Sequence, residues 1–180
     1  MLRTSAIALT ALAFAASASA QDAPRAAQPY VGVSGGYHDI FDNPIGKDGG
    51  AIGGVVAGVD FALAPERPTG PVIGVEGNFH LGTGAVDSEY GVAGRVGYRF
   101  ASGGLFYARA GYQWVNVDIG KLTNGLVTGR ELGVDDTDGD YLVGVGGEFT
   151  AGRANTRFRV GVDTVSFDTW RPNAAVIFSF

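Results

Sequence analysis

With 180 residues, 30 glycines, no cysteine and a formal net charge of −5, the chain has room for one domain but carries neither a disulfide framework nor a basic patch. That charge excludes nucleic acid and an anionic membrane surface as partners, because both are gripped by clustered Lys and Arg. Small exported domains often lean on disulfides, so this fold is held together by other means.

Residues 1–20 have the layout of a secretory signal. Arg3 supplies the positive start, Ile7 to Ala16 an apolar core too short to span a bilayer, and Ala18-Ser19-Ala20 a small-residue cleavage motif before Gln21. Residues 21–28 read as a loose periplasmic lead-in and 29–180 as the folded domain. No later stretch reaches the roughly 18 uninterrupted apolar residues of a membrane helix. An export signal without a helical anchor leaves two classes, a soluble secreted protein or a membrane β-barrel.

From Tyr30 onward, eight segments alternate in polarity with period two, separated by turn-forming clusters. The first two, about 29–38 and 51–61, are glycine-rich; Val31, Val33 and Tyr37 share a face in one and Val55, Val59 and Phe61 in the other, while Ile52 and Val56 break the pattern. The third sets Ile73, Val75, Phe79 and Leu81 against Gly74, Glu76, Asn78 and His80. The fourth sets Tyr90, Val92, Val96, Tyr98 and Phe100 against Gly91, Ala93, Arg95, Gly97 and Arg99. The fifth sets Phe106, Ala108, Ala110, Tyr112 and Trp114 against Tyr107, Arg109, Gly111 and Gln113. In the sixth, Tyr141, Val143, Val145 and Phe149 oppose Asp140, Gly144, Gly146 and Glu148, and in the seventh Phe158, Val160 and Val162 oppose Arg157, Arg159, Gly161 and Asp163. The last strand, 173–180, puts Ala174, Val176, Phe178 and Phe180 on one face and Asn173, Ala175 and Ser179 on the other.

An eight-stranded barrel has an interior just wide enough for side chains to fill, and it cannot swallow every aromatic on the apolar faces. Those aromatics also cluster at strand ends (Phe61, Phe100, Phe106, Phe149, Phe158 and Phe180 on one side), the pattern of an interfacial girdle. Turning the barrel inside out accommodates both observations. The fold class expected is therefore all-β, an eight-stranded antiparallel transmembrane up-and-down β-barrel with apolar residues on lipid. Glycine and charge then fill the lumen: Asp60, Glu76, His80, Glu148 and Asp163 with Arg95, Arg99, Arg109, Arg157 and Arg159. Hairpin counting pairs Glu76 with Arg95 and Glu148 with Arg157, which makes a cross-linked polar plug rather than an open channel.

Several stretches resemble the small outer-membrane barrels of Gram-negative bacteria (the OmpA transmembrane domain, OmpX and the opacity-type surface proteins). They are Tyr30-Val31-Gly32-Val33-Ser34-Gly35-Gly36-Tyr37, Gly94-Arg95-Val96-Gly97-Tyr98-Arg99-Phe100, Tyr107-Ala108-Arg109-Ala110-Gly111-Tyr112, Gly144-Val145-Gly146-Gly147-Glu148-Phe149 and the terminal Phe178-Ser179-Phe180. The resemblance implies location in the outer membrane among its lipids and lipopolysaccharide. It also implies an assembly signal at Asn173, Phe178 and Phe180 read by the barrel-assembly machinery, with Ala175 where that family usually has Gly. A structural or surface-exposed role is expected, with a possible extracellular partner at the loops; the alternatives are a narrow pore and, further off, a lipid-modifying enzyme. His38 and His80 are the candidate bases for the last, with no His-x-Ser sequence around His38, so no enzyme activity and no cofactor are expected. The run Asp135-Asp136-Thr137-Asp138-Gly139-Asp140 has alternate acids but Tyr141 where a calcium loop needs Gly; a solvated acidic loop within 118–139 is the expectation, with weak divalent binding as the other reading.

Overall fold

The computed structural model describes residues 26–40, 49–83, 86–117, 137–150 and 155–180. The expected leader (1–20) and nearly all of the 118–139 loop, with Asp135 and Asp136, lie outside the described residues. What is described forms one closed sheet, each strand antiparallel to its neighbours in sequence order, with β1 also pairing β8. The strands are β1 (Ala27–Ile40), β2 (Gly49–Ala62), β3 (Gly70–Gly82), β4 (Val86–Arg99), β5 (Leu105–Val117), β6 (Thr137–Thr150), β7 (Thr156–Val165) and β8 (Thr169–Ser179). Closure runs through Val33↔Val176 and Tyr30↔Ser179, so no edge is left to aggregate. β1 begins at Ala27, which draws the end of the expected 21–28 lead-in into the sheet.

Apart from one irregularity in β4, period-two alternation survives along the described strands and has one sense. Val75, Val96, Val145 and Val160 are about half exposed, while the residues between them are buried, including Glu76, Arg95, Glu148 and Arg159. Aliphatic side chains therefore cover the outer wall and charged ones the inside, the reverse of a water-soluble barrel. Aromatics ring both ends of that wall: Phe61, Phe100, Phe106, Phe149, Phe158 and Phe180 at the end carrying the 63–69 and 100–104 turns, and Tyr90, Trp114, Tyr141 and Trp170 at the other. Tyr90 stacks on Trp114 with ring centroids 5.3 Å apart. The first group is called here the turn end and the second the loop end.

Ile52 and Val56, which interrupted the sequence alternation, are buried and point inward. Each belongs to a small apolar cluster inside the barrel, Val56 with Tyr30, Ala175 and Ile177, and Ile52 with Val86 and Val115. The lumen is thus not lined by glycine and charge alone. A β-bulge between Val86 and Ser88 shifts the alternation by one, so that Val86 and Glu89 both face in.

Ser166 and Phe167 both have positive φ, 60° and 63°, in the β7–β8 turn, where Asp168 N donates back to Val165 O at 3.3 Å. Left-handed backbone costs an L-residue roughly 1–2 kcal/mol, and Phe167 gains nothing back by burial because it is 73% exposed. Phe167→Gly is expected to raise the midpoint of urea unfolding in detergent by the equivalent of about 1 kcal/mol. A lowered midpoint would show that the ring is held by contacts worth more than the strain.

Candidate functional site

A chain of charged and hydroxyl side chains fills the barrel from one mouth toward the other. At the turn end Arg157 donates from Nη2 to Ser179 Oγ (2.7 Å) and pairs through Nη1 with Glu148 Oε2 (2.9 Å). Glu148 Oε1 accepts from Arg95 Nη2 at 2.7 Å and Arg159 Nη2 at 2.8 Å. Both arginines continue to Glu76, Arg95 at 3.3 Å and Arg159 through a shorter bond from Nη1 to Oε2. Arg109 Nη1 meets Glu76 Oε1 at 2.6 Å and turns its other face to Asp163, giving the two parallel bonds of a guanidinium fork, 2.8 and 2.5 Å. Asp163 also accepts from Asn173 (2.7 Å) and from Arg171 Nη2 (3.1 Å). Arg171 crosses to Glu89, which holds His38 Nδ1 at 2.9 Å and His80 Nδ1 at 3.1 Å.

Charge balance explains why this assembly tolerates burial. Among the described residues five carboxylates (Asp60, Glu76, Glu89, Glu148, Asp163) and five arginines (Arg95, Arg109, Arg157, Arg159, Arg171) are buried. A lone buried ion costs several kcal/mol, whereas paired and hydrogen-bonded ions roughly break even. Two tyrosines finish the packing. Tyr30 OH donates to Glu76 Oε2 at 2.6 Å, and the Arg95 guanidinium lies 4.2 Å from the Tyr107 ring centroid and 5.4 Å from that of Tyr30. Glycines make room for those rings: a Cβ on Gly58 would stand 2.5 Å from Tyr30 Oη, and one on Gly146 2.4 Å from Tyr107 Oη.

The expected luminal residues Asp60, Glu76, His80, Arg95, Arg109, Glu148, Arg157, Arg159 and Asp163 all come together here. Arg99 does not; it is half-buried near the turn end and donates to Gln28 Oε1 at 2.9 Å instead of meeting a carboxylate. Both expected pairs are in contact, but the hairpin count was two residues off. Glu76 lies opposite Ala93 and Glu148 opposite Arg159, so Arg95 and Arg157 reach their acids diagonally. His38, near the loop end of β1, is buried on the inner face. Glu89 and Arg171 were missed because each sits just outside the span assigned to its strand. Their parity with Arg95 and Asn173 would have found them. Asn173 points inward to Asp163, while Phe178 and Phe180 point out and are about half exposed.

At the loop end Ser34 Oγ is 2.7 Å from His80 Nε2, and His80 Nδ1 faces Glu89. With Nδ1 donating to the carboxylate, Nε2 accepts from the serine, which is the bonding order of a hydrolase triad. The cavity beside these groups, lined also by Arg109, Arg171 and Asn173, has a volume of about 10 Å³. That is about the space a single water needs, with none left for an acyl group and its leaving group. Among the described residues no cluster of three or more His, Cys, Asp or Glu side chains is arranged to hold a metal.

An apolar wall with girdles at both ends and a charged, paired interior is the pattern of a small bacterial outer-membrane barrel, and the sequence matches the outer membrane protein beta-barrel domain over residues 6–177. The chain belongs to that family. Solved structures of the same fold include Neisserial surface protein A (TM-score 0.52, 14% identity, 87% of this chain and 98% of that one). Ail, the attachment invasion locus protein of Yersinia pestis, in complex with the heparin analogue sucrose octasulfate, is similar too (0.50, 11%, 86% and 97%). So is a de novo designed transmembrane β-barrel (0.51, 14%, 86% and 96%). No curated protein matches the sequence. These identities are low enough that the likenesses concern the fold alone.

Proposed function

We propose that the protein is a non-conducting outer-membrane barrel with a structural or surface-display role, its lumen plugged by its own ion pairs. The observation that carries this reading is the unbroken series of contacts from Ser179 and Arg157 at one mouth to Glu89 and the two histidines near the other. An ion crossing the barrel would have to part several charge-assisted bonds at once. The small cavity beside Ser34 and His80 supports the same reading, because at about 10 Å³ it has no room for an acyl group at that place. Residues 1–20 would export the chain, and Phe178 and Phe180, outward and exposed at the turn end, would be presented to the assembly machinery. The lipid-facing wall would meet membrane lipids and lipopolysaccharide, leaving the loops for any extracellular partner. A sulfated polyanion of the kind bound by Ail is poorly matched to a net charge of −5.

Planar-bilayer recording of protein purified from outer membranes is the test. At pH 7.4 the trace should stay at baseline, and steady nanosiemens conductance would replace the plug with a pore.

A further inference from the structure

We propose that the tip of the β7–β8 hairpin is a docking site for a cationic polypeptide segment, with Phe167 as its apolar anchor and Asp39, Asp140 and Asp168 as its acidic surround. The site gives the surface-display role a class of partner and rests on that reading. It starts from a side chain that costs the barrel stability. A two-residue hairpin turn needs positive φ at both central positions, which is why Asn-Gly is the usual pair there. Here Ser166 and Phe167 hold those positions, at 60° and 63°. A phenylalanine in left-handed backbone is strained, and at 73% exposure its ring returns nothing to the fold. Strain of that kind is kept where a residue serves a contact outside the fold.

The surroundings hold the ring out in one place. Thr169 Oγ1 lies 3.2 Å from both the N and the O of Val165, which closes the turn, and Ser166 N donates to Tyr141 O at 2.9 Å, which ties it to β6. Tyr141 and Trp170 belong to the loop-end girdle on β6 and β8, whereas Phe167 stands beyond the last residue of β7 and before the first of β8. Tyr141 and Phe167 are the two most exposed large apolar side chains among the described residues. A fixed aromatic with its backbone already bonded loses little freedom on binding, which is what makes such residues anchors.

Charge selects the partner. Asp168 follows the ring and is exposed, Asp140 precedes Tyr141, and Asp39 pairs with Trp170 across the β1–β8 ladder. Asp140 also accepts from the Ser166 side chain, so its carboxylate sits at the turn. Among the described residues no Lys or Arg is exposed at this end: Arg67 and Arg99 are at the turn end and the other described arginines are buried in the lumen. The loop sequences 41–48 and 118–136 each carry more acids than bases. Such a surface repels phosphate-bearing lipopolysaccharide and sulfated polyanions, and it matches an apolar side chain flanked by Lys or Arg. Because long loops mark the extracellular end of this family's barrels, the partner comes from outside the cell.

A phage-displayed random dodecapeptide library, selected on the full chain in phosphatidylcholine nanodiscs, tests this. Phe167→Gly relieves the strained position and serves as the comparison, with heat-modifiable gel migration verifying the fold of each protein. The selection is expected to yield peptides rich in Lys and Arg beside an aromatic or branched aliphatic residue. They should bind Phe167→Gly at least about tenfold more weakly, and associate more slowly with the native barrel when salt is raised to about 0.5 M. Phe167→Asn, whose side chain also tolerates that backbone, should lose binding to the same extent. Peptides that bind native and variant barrels alike, or Phe167-dependent peptides with no excess of Lys and Arg, overturn the site, and so does a selection that yields no binders. A fluorophore on Phe167→Cys quenched by brominated lipid tails as strongly as one on Val75→Cys would put the membrane over the ring in place of a polypeptide, and overturn it too. A membrane-impermeant maleimide should label Phe167→Cys on intact cells. Labelling without peptide binding sinks the docking site and leaves surface display standing, whereas no labelling sinks both.

Discussion

Replacing Glu76 with Gln is expected to cost about 3–5 kcal/mol, the range for breaking a buried charge network by removing one partner. Glu76 is the hub of the lumen, receiving Arg95, Arg109 and Arg159 from three different strands and the Tyr30 hydroxyl from a fourth. The amide keeps the shape but deletes the charge that holds three guanidinium groups together. Unfolding in urea after reconstitution into liposomes measures the loss. Pairing Glu76→Gln with Arg109→Met should cost less than the two single changes summed, because the second removes a cation the first left stranded. A loss below about 1 kcal/mol would mean that water already screens these charges, contrary to a dry plug.

Val75→Arg is the second large effect. Val75 lies near the middle of β3 and is 54% exposed on the outer wall. Arginine at the midplane of an outer-membrane barrel costs about 2–4 kcal/mol. On a water-soluble barrel the same exposed position would accept arginine at almost no cost. The sign and size of this one change therefore separate lipid from water outside Val75. Liposome unfolding reads it directly, and an effect within about 0.5 kcal/mol of zero would contradict a lipid-facing wall.

Much of the fold was legible because a strand buried on one side and lipid-exposed on the other writes its two faces into alternate residues. Val96, Tyr98 and Phe100 against Arg95 and Arg99 declare β4 without further help. Ile52 and Val56 were opaque for a physical reason. The lumen holds apolar clusters between its charged layers, and an inward isoleucine is indistinguishable in sequence from an outward one. The buried charged residues were legible one by one, since a charge on the glycine-bearing face has nowhere to go but inside. Their partners were less so. Register depends on how each hairpin turns, and a slip of two residues keeps the faces while moving every pair. Arginine's length rescued both proposed contacts despite that slip. The cluster around Glu89 needed three dimensions: His38, His80 and Arg171 come from β1, β3 and β8, and no spacing along the chain announces that they share one carboxylate.

The absence of native cysteine allows a direct test of which way the wall faces, because any introduced thiol is unique. Single cysteines at Val75, Val96 and Val145, each on the outer wall, and at Ala93 and Leu142, each buried inside, would be labelled with a small fluorophore after reconstitution. Quenching by brominated lipid tails is the readout. Strong quenching at the three outer positions and little at the two inner ones is the predicted result. Weak quenching at Val75, Val96 and Val145, with ready labelling there by a water-soluble maleimide, would contradict a barrel that turns its valines to lipid and keeps its arginines within.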